Sequence, residues 1–122
     1  MESLPGEPVV LVVDDDQAIL GVLPMFLRNC CVLCANDGQE ALAVARGYSG
    51  TIDLLITDID MPGLKGTELA ARLIAERPDT RVILMTGSGA ENVTLPLLKK
   101  PFGADTLMTK MREVLAASVT EK

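Results

Sequence analysis

The chain has 122 residues, enough for one domain whose hydrophobic core needs neither a disulfide nor a zinc ion. Its 17 acidic and 11 basic residues give a formal net charge of -6, which argues against direct binding to nucleic acid or to an anionic membrane surface. No apolar run reaches the roughly 18 residues of a membrane helix, and residues 1–8 lack the character of a secretion signal, so we expect a cytoplasmic protein.

Short apolar runs of strand length alternate along the chain with stretches of helical spacing. The runs are residues 9–13, 31–35, 53–57, 82–85 and 95–98. Such alternation is typical of a parallel sheet with helices on both faces. The sequence therefore predicts an α/β fold, a doubly wound sheet of five parallel strands.

Apolar residues recur every three or four positions between the runs and predict amphipathic helices. Asp16 is a good N-cap for the first helix, and Pro24 inside that helix should kink it. The apolar face of the first helix comprises Ile19, Val22, Leu23, Phe26 and Leu27. The faces of the other helices comprise Ala41, Leu42 and Ala45, then Leu69, Leu73 and Ile74, and finally Leu107, Met111, Val114 and Leu115.

The interval between the fourth and fifth runs is unusually short. Only nine residues, 86–94, separate Met85 from Leu95, and the glycines at 87 and 89 favour a loop. A crossover between parallel strands normally takes a dozen or more residues including its helix. We therefore expect the crossover helix here to be a single turn or absent.

Three cysteines, Cys30, Cys31 and Cys34, lie in or beside the second run. Residues 31–34 match the C-x-x-C pattern, but the chain has no second pair and no His to complete a metal site. We expect three reduced thiols that are buried or half-buried in a strand.

Carboxylates gather where two of the apolar runs end. Asp14 and Asp15 follow the first run, and Asp58 follows the third, with Asp60 two positions later. Because α/β sheets place their chemistry at the carboxyl ends of the strands, these side chains could meet at one point. Carboxylates crowded in this way repel one another unless a cation joins them.

In these acids and in several later residues, the chain resembles the receiver domains of bacterial two-component response regulators, the CheY-like superfamily. The marks, in chain order, are Asp14 with Asp15, the D-x-x-M-P segment 58–62 followed by Gly66, Thr86, and the Lys-Pro-Phe of residues 100–102. The resemblance runs from about Val9 to Leu115 and implies the strand order 2-1-3-4-5. We expect the receiver domain to occupy residues 8–117, with flexible ends at 1–7 and 118–122.

The resemblance implies a role for each acid. Asp58 would be the nucleophile that accepts a phosphoryl group as an acyl phosphate. Asp15 would bind Mg²⁺ directly and Asp14 through water, since Mg²⁺ keeps several of its waters. Asp58 and the backbone carbonyl of Asp60 would complete the ligands, while Asp16 serves only as the helix cap.

Two further side chains would contact the phosphoryl group. Lys100 would reach its oxygens as a compact positive charge, after a Lys-Pro peptide bond that is usually cis in the family, whereas Lys99 would face solvent. Thr86 would donate its hydroxyl to a phosphoryl oxygen when drawn inward, which is how the family converts chemistry into a change of shape.

The resemblance implies a histidine kinase or a histidine phosphotransfer protein as the phosphoryl donor, and the donor would lie outside this chain, which has no His. The domain would not be an enzyme in the usual sense, because it would catalyse only its own phosphorylation and dephosphorylation. It would be either a stand-alone receiver or part of a larger regulator or hybrid sensor kinase, and it would switch a downstream protein partner that the sequence does not identify.

The chain departs from the family pattern at two places. Leu97 stands where receivers usually carry an aromatic residue, and the crossover before it is short. We therefore expect the usual aromatic switch to be missing, and we hypothesise that residues 87–94 are mobile and become ordered on phosphorylation. Asp60 and Ser88 occupy positions that tune the lifetime of the phosphoryl group in the family.

Two other functions stay open. Residues 57–60 resemble the opening D-x-D of haloacid-dehalogenase-like phosphatases, although Pro62 stands where that family has Thr or Val, and Asp14 and Asp15 precede the motif instead of following it. The second alternative is a receiver fold that docks a partner without being phosphorylated.

Overall fold

The computed structural model describes residues 7–87 and 93–120, and these contain five strands and four helices that alternate except between the fourth and fifth strands. The strands are β1 (Val9–Val13), β2 (Cys31–Ala35), β3 (Leu54–Asp58), β4 (Arg81–Thr86) and β5 (Leu97–Lys99). The helices are α1 (Gln17–Phe26), α2 (Gly38–Gly47), α3 (Gly66–Glu76) and α4 (Ala104–Thr120). Within the described ranges, no helix combines the length and the apolar character that a membrane span requires.

All five strands are parallel, and their order is β2-β1-β3-β4-β5, which confirms the predicted sheet. The register aligns Val13 of β1 with Ala35 of β2 and with Thr57 of β3. The carboxyl ends of β1 and β3 therefore lie side by side at the centre of the sheet.

Helices cover both faces of the sheet, so the chain has two cores. Strand alternation sends Leu11 and Leu55 to one face, where they pack with the apolar sides of α2 and α3. It sends Val12 and Ile56 to the opposite face, where they pack with α1 and α4. The doubly wound arrangement follows from strands that are apolar on both sides.

The predicted helices are confirmed, with one wrong assignment on α1. Asp16 caps α1, since its carboxylate accepts a hydrogen bond of 2.9 Å from the backbone N–H of Ala18. Val22, predicted to face the core, is 40% exposed, and Met25 is 68% exposed. Because α1 is apolar almost all round and contains no charged residue, spacing alone could not separate its inner side from its outer side.

The bounds of three strands differ from the prediction. β4, predicted at 82–85, runs over Arg81–Thr86. β3 ends at Asp58 itself, one residue later than expected. β5 runs over Leu97–Lys99 instead of 95–98, because Pro96 has no N–H to donate and joins the sheet only through its carbonyl, which accepts from the N–H of Leu84 at 2.8 Å.

The short crossover between β4 and β5 contains no helix in the part that the structure describes, Gly87 and residues 93–96. Its half-buried Val93 and Leu95 pack against the core beneath α2 and α3. Residues 88–92, including Ser88, lie outside the described residues, so the hypothesis that this segment becomes ordered on phosphorylation stays a prediction.

The cysteines are free, but their expected burial is partly wrong. Cys31 is half-buried in β2, Cys30 lies just before the strand, and Cys34 is exposed because β2 is at the edge of the sheet. Burial and the nearby Glu7 raise the pKa of the Cys30 thiol, and burial raises that of Cys34. These two thiols therefore hold their protons more firmly than an ordinary cysteine.

Arg77 ties the end of α3 to the end of α2 at the amino edge of the sheet. Its guanidinium donates hydrogen bonds to the carbonyls of Ala45, Tyr48 and Gly50 at 2.9, 2.6 and 2.8 Å. Carbonyls at the end of a helix have no partner within the helix, so one planar cation serves several acceptors at once.

We expect Arg77→Met to lower the free energy of unfolding by about 2–3 kcal/mol, because it removes these charge-assisted hydrogen bonds together. Urea unfolding followed by circular dichroism measures the loss. The control is Arg72→Met, at an exposed position in the middle of α3. An equal effect of the two substitutions would contradict the role given to Arg77.

Candidate functional site

The predicted acids meet at the carboxyl edge of the sheet. Asp14 directly follows β1, Asp58 ends β3, and strand alternation places both on the face that packs against α1 and α4. Asp14 is 0% exposed and Asp58 is 6% exposed, whereas Asp15 is exposed. One carboxylate oxygen from each of the three lies within 4.8 Å of the others.

Lys100 brings a positive charge into this group from the end of β5. Its Nζ lies 2.9 Å from Oδ2 of Asp14 and 3.3 Å from Oδ1 of Asp58. The peptide bond between Lys100 and Pro101 is cis, as the resemblance implied, and Lys99 is exposed. The lysine therefore bridges two carboxylates from different strands.

Both oxygens of Asp14 are occupied by partners. Oδ2 accepts the hydrogen bond from Lys100, and Oδ1 accepts one of 2.9 Å from the backbone N–H of Asp16. Asp16 directs its own carboxylate to the N–H of Ala18 and so belongs to the cap of α1. The turn after β1 thus fixes the orientation of Asp14 before any ligand arrives.

The electrostatics of the site follow from this packing. Burial raises the pKa of Asp58, the charges of Asp14 and Asp15 raise it further, and Lys100 opposes the shift. For Lys100, burial acts to lower the pKa, but the hydrogen bond and charge of Asp14 and the charge of Asp58 outweigh it and raise the pKa. Lys100 therefore stays an ammonium ion. Ionisation of Asp58 costs more free energy than ionisation of an exposed aspartate.

We expect Asp58→Asn to raise the melting temperature near neutral pH by a few degrees. The folded-state pKa of Asp58 is raised above its unfolded value, so ionised Asp58 lowers stability above the folded pKa and has no effect below the unfolded pKa. The gain should therefore shrink as the pH falls towards the ordinary range of an aspartate. Thermal unfolding at several pH values measures it.

The control for that measurement is Asp79→Asn, which removes one exposed carboxylate at the far edge of the sheet. It should give no comparable gain. A melting temperature for Asp58→Asn below that of the unsubstituted protein near neutral pH would contradict the electrostatic account.

Thr86 and Leu97 lie on the other side of the sheet from the acids. Thr86 ends β4 and is buried, and because it stands two positions after Leu84 it shares the face of the strand that packs beneath α2 and α3. Leu97 is half-buried against the same core. The two are linked to the site through the backbone, because the N–H of Lys100 donates to the carbonyl of Thr86 at 2.7 Å.

The loop that carries Asp60 is anchored at both ends. The N–H of Ile59 donates to the carbonyl of Met85, and the N–H of Gly66 donates to the carbonyl of Ile59, each at 2.9 Å. Asp60 is exposed between these anchors, and Gly63 has a φ of 77°, in the region that favours glycine. The loop therefore returns to the end of β3 by a fixed path.

Sequence reasoning assigned no role to Thr57, the residue before Asp58. Its hydroxyl is buried and donates to the backbone carbonyl of Asp58 at 3.0 Å. The available signal was a polar residue inside an apolar run, but a threonine is common in strands and the pattern did not show where its hydroxyl points.

The group of three carboxylates fits a divalent cation that prefers oxygen ligands. Asp15 and Asp58 offer carboxylate oxygens, whereas both oxygens of Asp14 already accept hydrogen bonds. This arrangement suits direct binding by Asp15 and contact through water for Asp14. A soft metal such as Cu(I) would find no thiolate among these three ligands.

The comparisons with known proteins agree with this geometry. Residues 10–117 match the family model described as the response regulator receiver domain. The sensor kinase CckA of Brucella abortus is 30% identical over 123 residues, which covers 93% of this chain and 13% of the kinase. The transcriptional regulatory protein ResD of Bacillus subtilis is 38% identical over 88 residues, which covers 70% of this chain and 35% of ResD. The chain thus spans only a minor part of these curated relatives.

Solved structures give the same result. The receiver domain from the hybrid histidine kinase CckA is 34% identical with a TM-score of 0.77, covering 88% of this chain and 98% of that one. A CheY-like receiver domain protein from Methanospirillum hungatei is 27% identical with a TM-score of 0.84, covering 96% and 100%.

Proposed function

This chain belongs to the response regulator receiver family, and on that premise we propose that Asp58 is its phosphoacceptor. Receiver domains work in two-component systems, where they pair with histidine kinases. The donor for this chain is a histidine kinase or a histidine phosphotransfer protein, and the setting is the cytoplasm, without direct contact to nucleic acid or membrane. The output is a change in binding to a downstream protein.

The observation that carries the proposal is the position of the Lys100 ammonium between Asp14 and Asp58. Its Nζ lies 3.3 Å from the carboxylate that would attack the phosphoryl group. The raised pKa of Lys100 keeps it charged, so it can offset the negative charge that the phosphoryl group brings. A structural ion pair alone would not need a third carboxylate, Asp15, within 4.8 Å of the other two.

In the transfer, an oxygen of the Asp58 carboxylate forms a bond to phosphorus as the bond from phosphorus to the donor imidazole nitrogen breaks, and that nitrogen keeps the electron pair. The carboxylate must be ionised to attack. Burial favours its neutral form, and Lys100 opposes that effect, so the lysine supports the nucleophile as well as the phosphoryl oxygens. Hydrolysis of the acyl phosphate at the same site would reset the domain.

Asp15, Asp58 and the backbone carbonyl of Asp60 would hold Mg²⁺, with Asp14 acting through water. The ion, when bound, supplies a divalent charge that neutralises phosphoryl oxygens. The chain's own residues hold these ligands in position. The N–H of Asp16 orients the carboxylate of Asp14, and the anchored loop from Ile59 to Gly66 fixes the backbone around Asp60.

The phosphoryl group adds about -1.5 to -2 charges at the edge of the sheet. Thr86 would respond by turning its hydroxyl to a phosphoryl oxygen, and its carbonyl is already bonded to the N–H of Lys100. Movement of Thr86 would act on Val93 and Leu95 of the crossover and on Leu97 of β5, which pack on the same face of the sheet. Because residue 97 is a leucine, the movement of Thr86 would be transmitted by a change in the packing of aliphatic side chains, without the rotation of an aromatic ring.

The family match over residues 10–117 favours this function over a haloacid-dehalogenase-like phosphatase. Phosphorylation-independent docking is less favoured, because the acids and the lysine are all present and in contact.

Incubation with acetyl phosphate and Mg²⁺ should add one phosphoryl group, detected by intact-protein mass spectrometry. Asp58→Asn should add none, because its amide is not a nucleophile. The matched control is Asp53→Asn, at the opposite edge of the sheet, which should be phosphorylated like the unsubstituted protein if it remains folded. An unsubstituted protein that gains no phosphoryl group would leave the docking function ahead.

Asp15→Asn should weaken Mg²⁺ binding by about tenfold or more, because an amide oxygen replaces a charged ligand. Asp16→Asn is the control: it removes the same charge one residue away, and Asn is an equally good N-cap. The affinity of the Asp16→Asn variant for Mg²⁺ should stay close to that of the unsubstituted protein. Titration of amide resonances by NMR gives both constants, and equal weakening would show a mere effect of net charge.

A further inference from the structure

Thr57 stands out in β3 because its neighbours in the strand are apolar on the side where it points. It is 0% exposed and shares the face of Leu55, beneath α2 and α3. A hydroxyl in such a core lowers stability unless it forms a hydrogen bond. Its partner is the backbone carbonyl of Asp58, the next residue, at 3.0 Å.

The same carbonyl is enclosed from a second side by Gly66, the first residue of α3. A Cβ on Gly66 would lie 2.1 Å from the carbonyl oxygen of Asp58 and 2.9 Å from its carbonyl carbon. The following residue is also held, since Ile59 donates to Met85 and accepts from Gly66. The peptide after Asp58 is thus held by the Thr57 hydroxyl, by the close approach of Gly66 and by the hydrogen bond from the N–H of Ile59, and the next peptide is held by the bond from Gly66.

The carboxylate of Asp58 projects from the opposite face of the strand, towards Lys100 and Asp14. A rotation of the fixed peptide would move the Cα of Asp58 and carry the carboxylate away from both. Small displacements of a reacting group have large effects on rate, because proximity and orientation are what the protein contributes to phosphoryl transfer.

We propose that Thr57 is a positioning residue for the phosphoacceptor: its hydroxyl holds the backbone carbonyl of Asp58 from the far side of the sheet and so aims the carboxylate at the site. The proposal rests on the proposed function, since it assigns Thr57 a part in the phosphorylation of Asp58. On this proposal, the face of β3 that packs beneath α2 and α3 also helps to position Asp58.

The test compares Thr57→Val with Thr80→Val. Thr80 is a matched control: it is 3% exposed, and its hydroxyl donates to the backbone carbonyl of Ile52 at 2.7 Å, at the amino edge of the sheet. Each substitution removes one buried hydroxyl-to-carbonyl hydrogen bond with almost no change in shape. Thr57→Ser, which keeps the hydroxyl, is the rescue variant.

The first readout is the initial rate of phosphorylation by acetyl phosphate at saturating Mg²⁺, per folded protein. Thr57→Val should lower it roughly three- to tenfold, the range that loss of one neutral hydrogen bond corresponds to. Thr80→Val and Thr57→Ser should keep the rate of the unsubstituted protein. The second readout is the ¹³C shift of the Asp58 carbonyl, which should change in Thr57→Val alone.

Equal rates for Thr57→Val and Thr80→Val, with the unsubstituted protein phosphorylated, would overturn the positioning role and leave the proposed function intact. An unsubstituted protein that takes no phosphoryl group would overturn both. If Thr57→Val does not fold, Thr57→Ala takes its place, and an unchanged Asp58 carbonyl shift in that variant would also overturn the positioning role.

Discussion

The arrangement of the site depends on one interaction, the contact of the Lys100 ammonium with Asp14 and Asp58. A buried carboxylate beside another is unfavourable, and here a third, Asp15, lies within reach of both. The lysine reaches them from β5, at the edge of the sheet, while the acids come from β1 and β3 at its centre. The ion pairs therefore connect the end of β5 to the ends of β1 and β3, so the geometry of the site depends on the relative positions of strands across the sheet.

Most of the fold could be predicted because the strands are apolar and are separated by helices with clear apolar faces. The sequence also identified Asp14, Asp15, Asp58 and Lys100, which the structure brings together. The prediction was wrong for Val22, which is exposed. It lies on a helix that is apolar almost all round, so the spacing of apolar residues does not show which side faces the sheet. Local patterns cannot say which side of such a helix meets the sheet.

Other features depend on the path of the chain in three dimensions. The start of β5 was misplaced because Pro96 contributes only its carbonyl to the sheet. The bond from Thr57 to the Asp58 carbonyl was not foreseen because it requires the rotamer of a buried hydroxyl. Gly66, read as a family mark, has a physical cause that only the structure shows, since no side chain fits against that carbonyl.

The two edges of the sheet are fastened differently. At the amino edge, Arg77, Thr80 and Asp53 all hold backbone groups of neighbouring segments: Arg77 and Thr80 donate to carbonyls, and Asp53 accepts from the N–H of Val9 at 2.8 Å. These hydrogen bonds lie at the edge of the sheet opposite Asp58. Opening the amino edge would break several of these hydrogen bonds at once. The proposed phosphorylation of Asp58 would therefore act at the carboxyl edge, away from the hydrogen bonds that hold the amino edge.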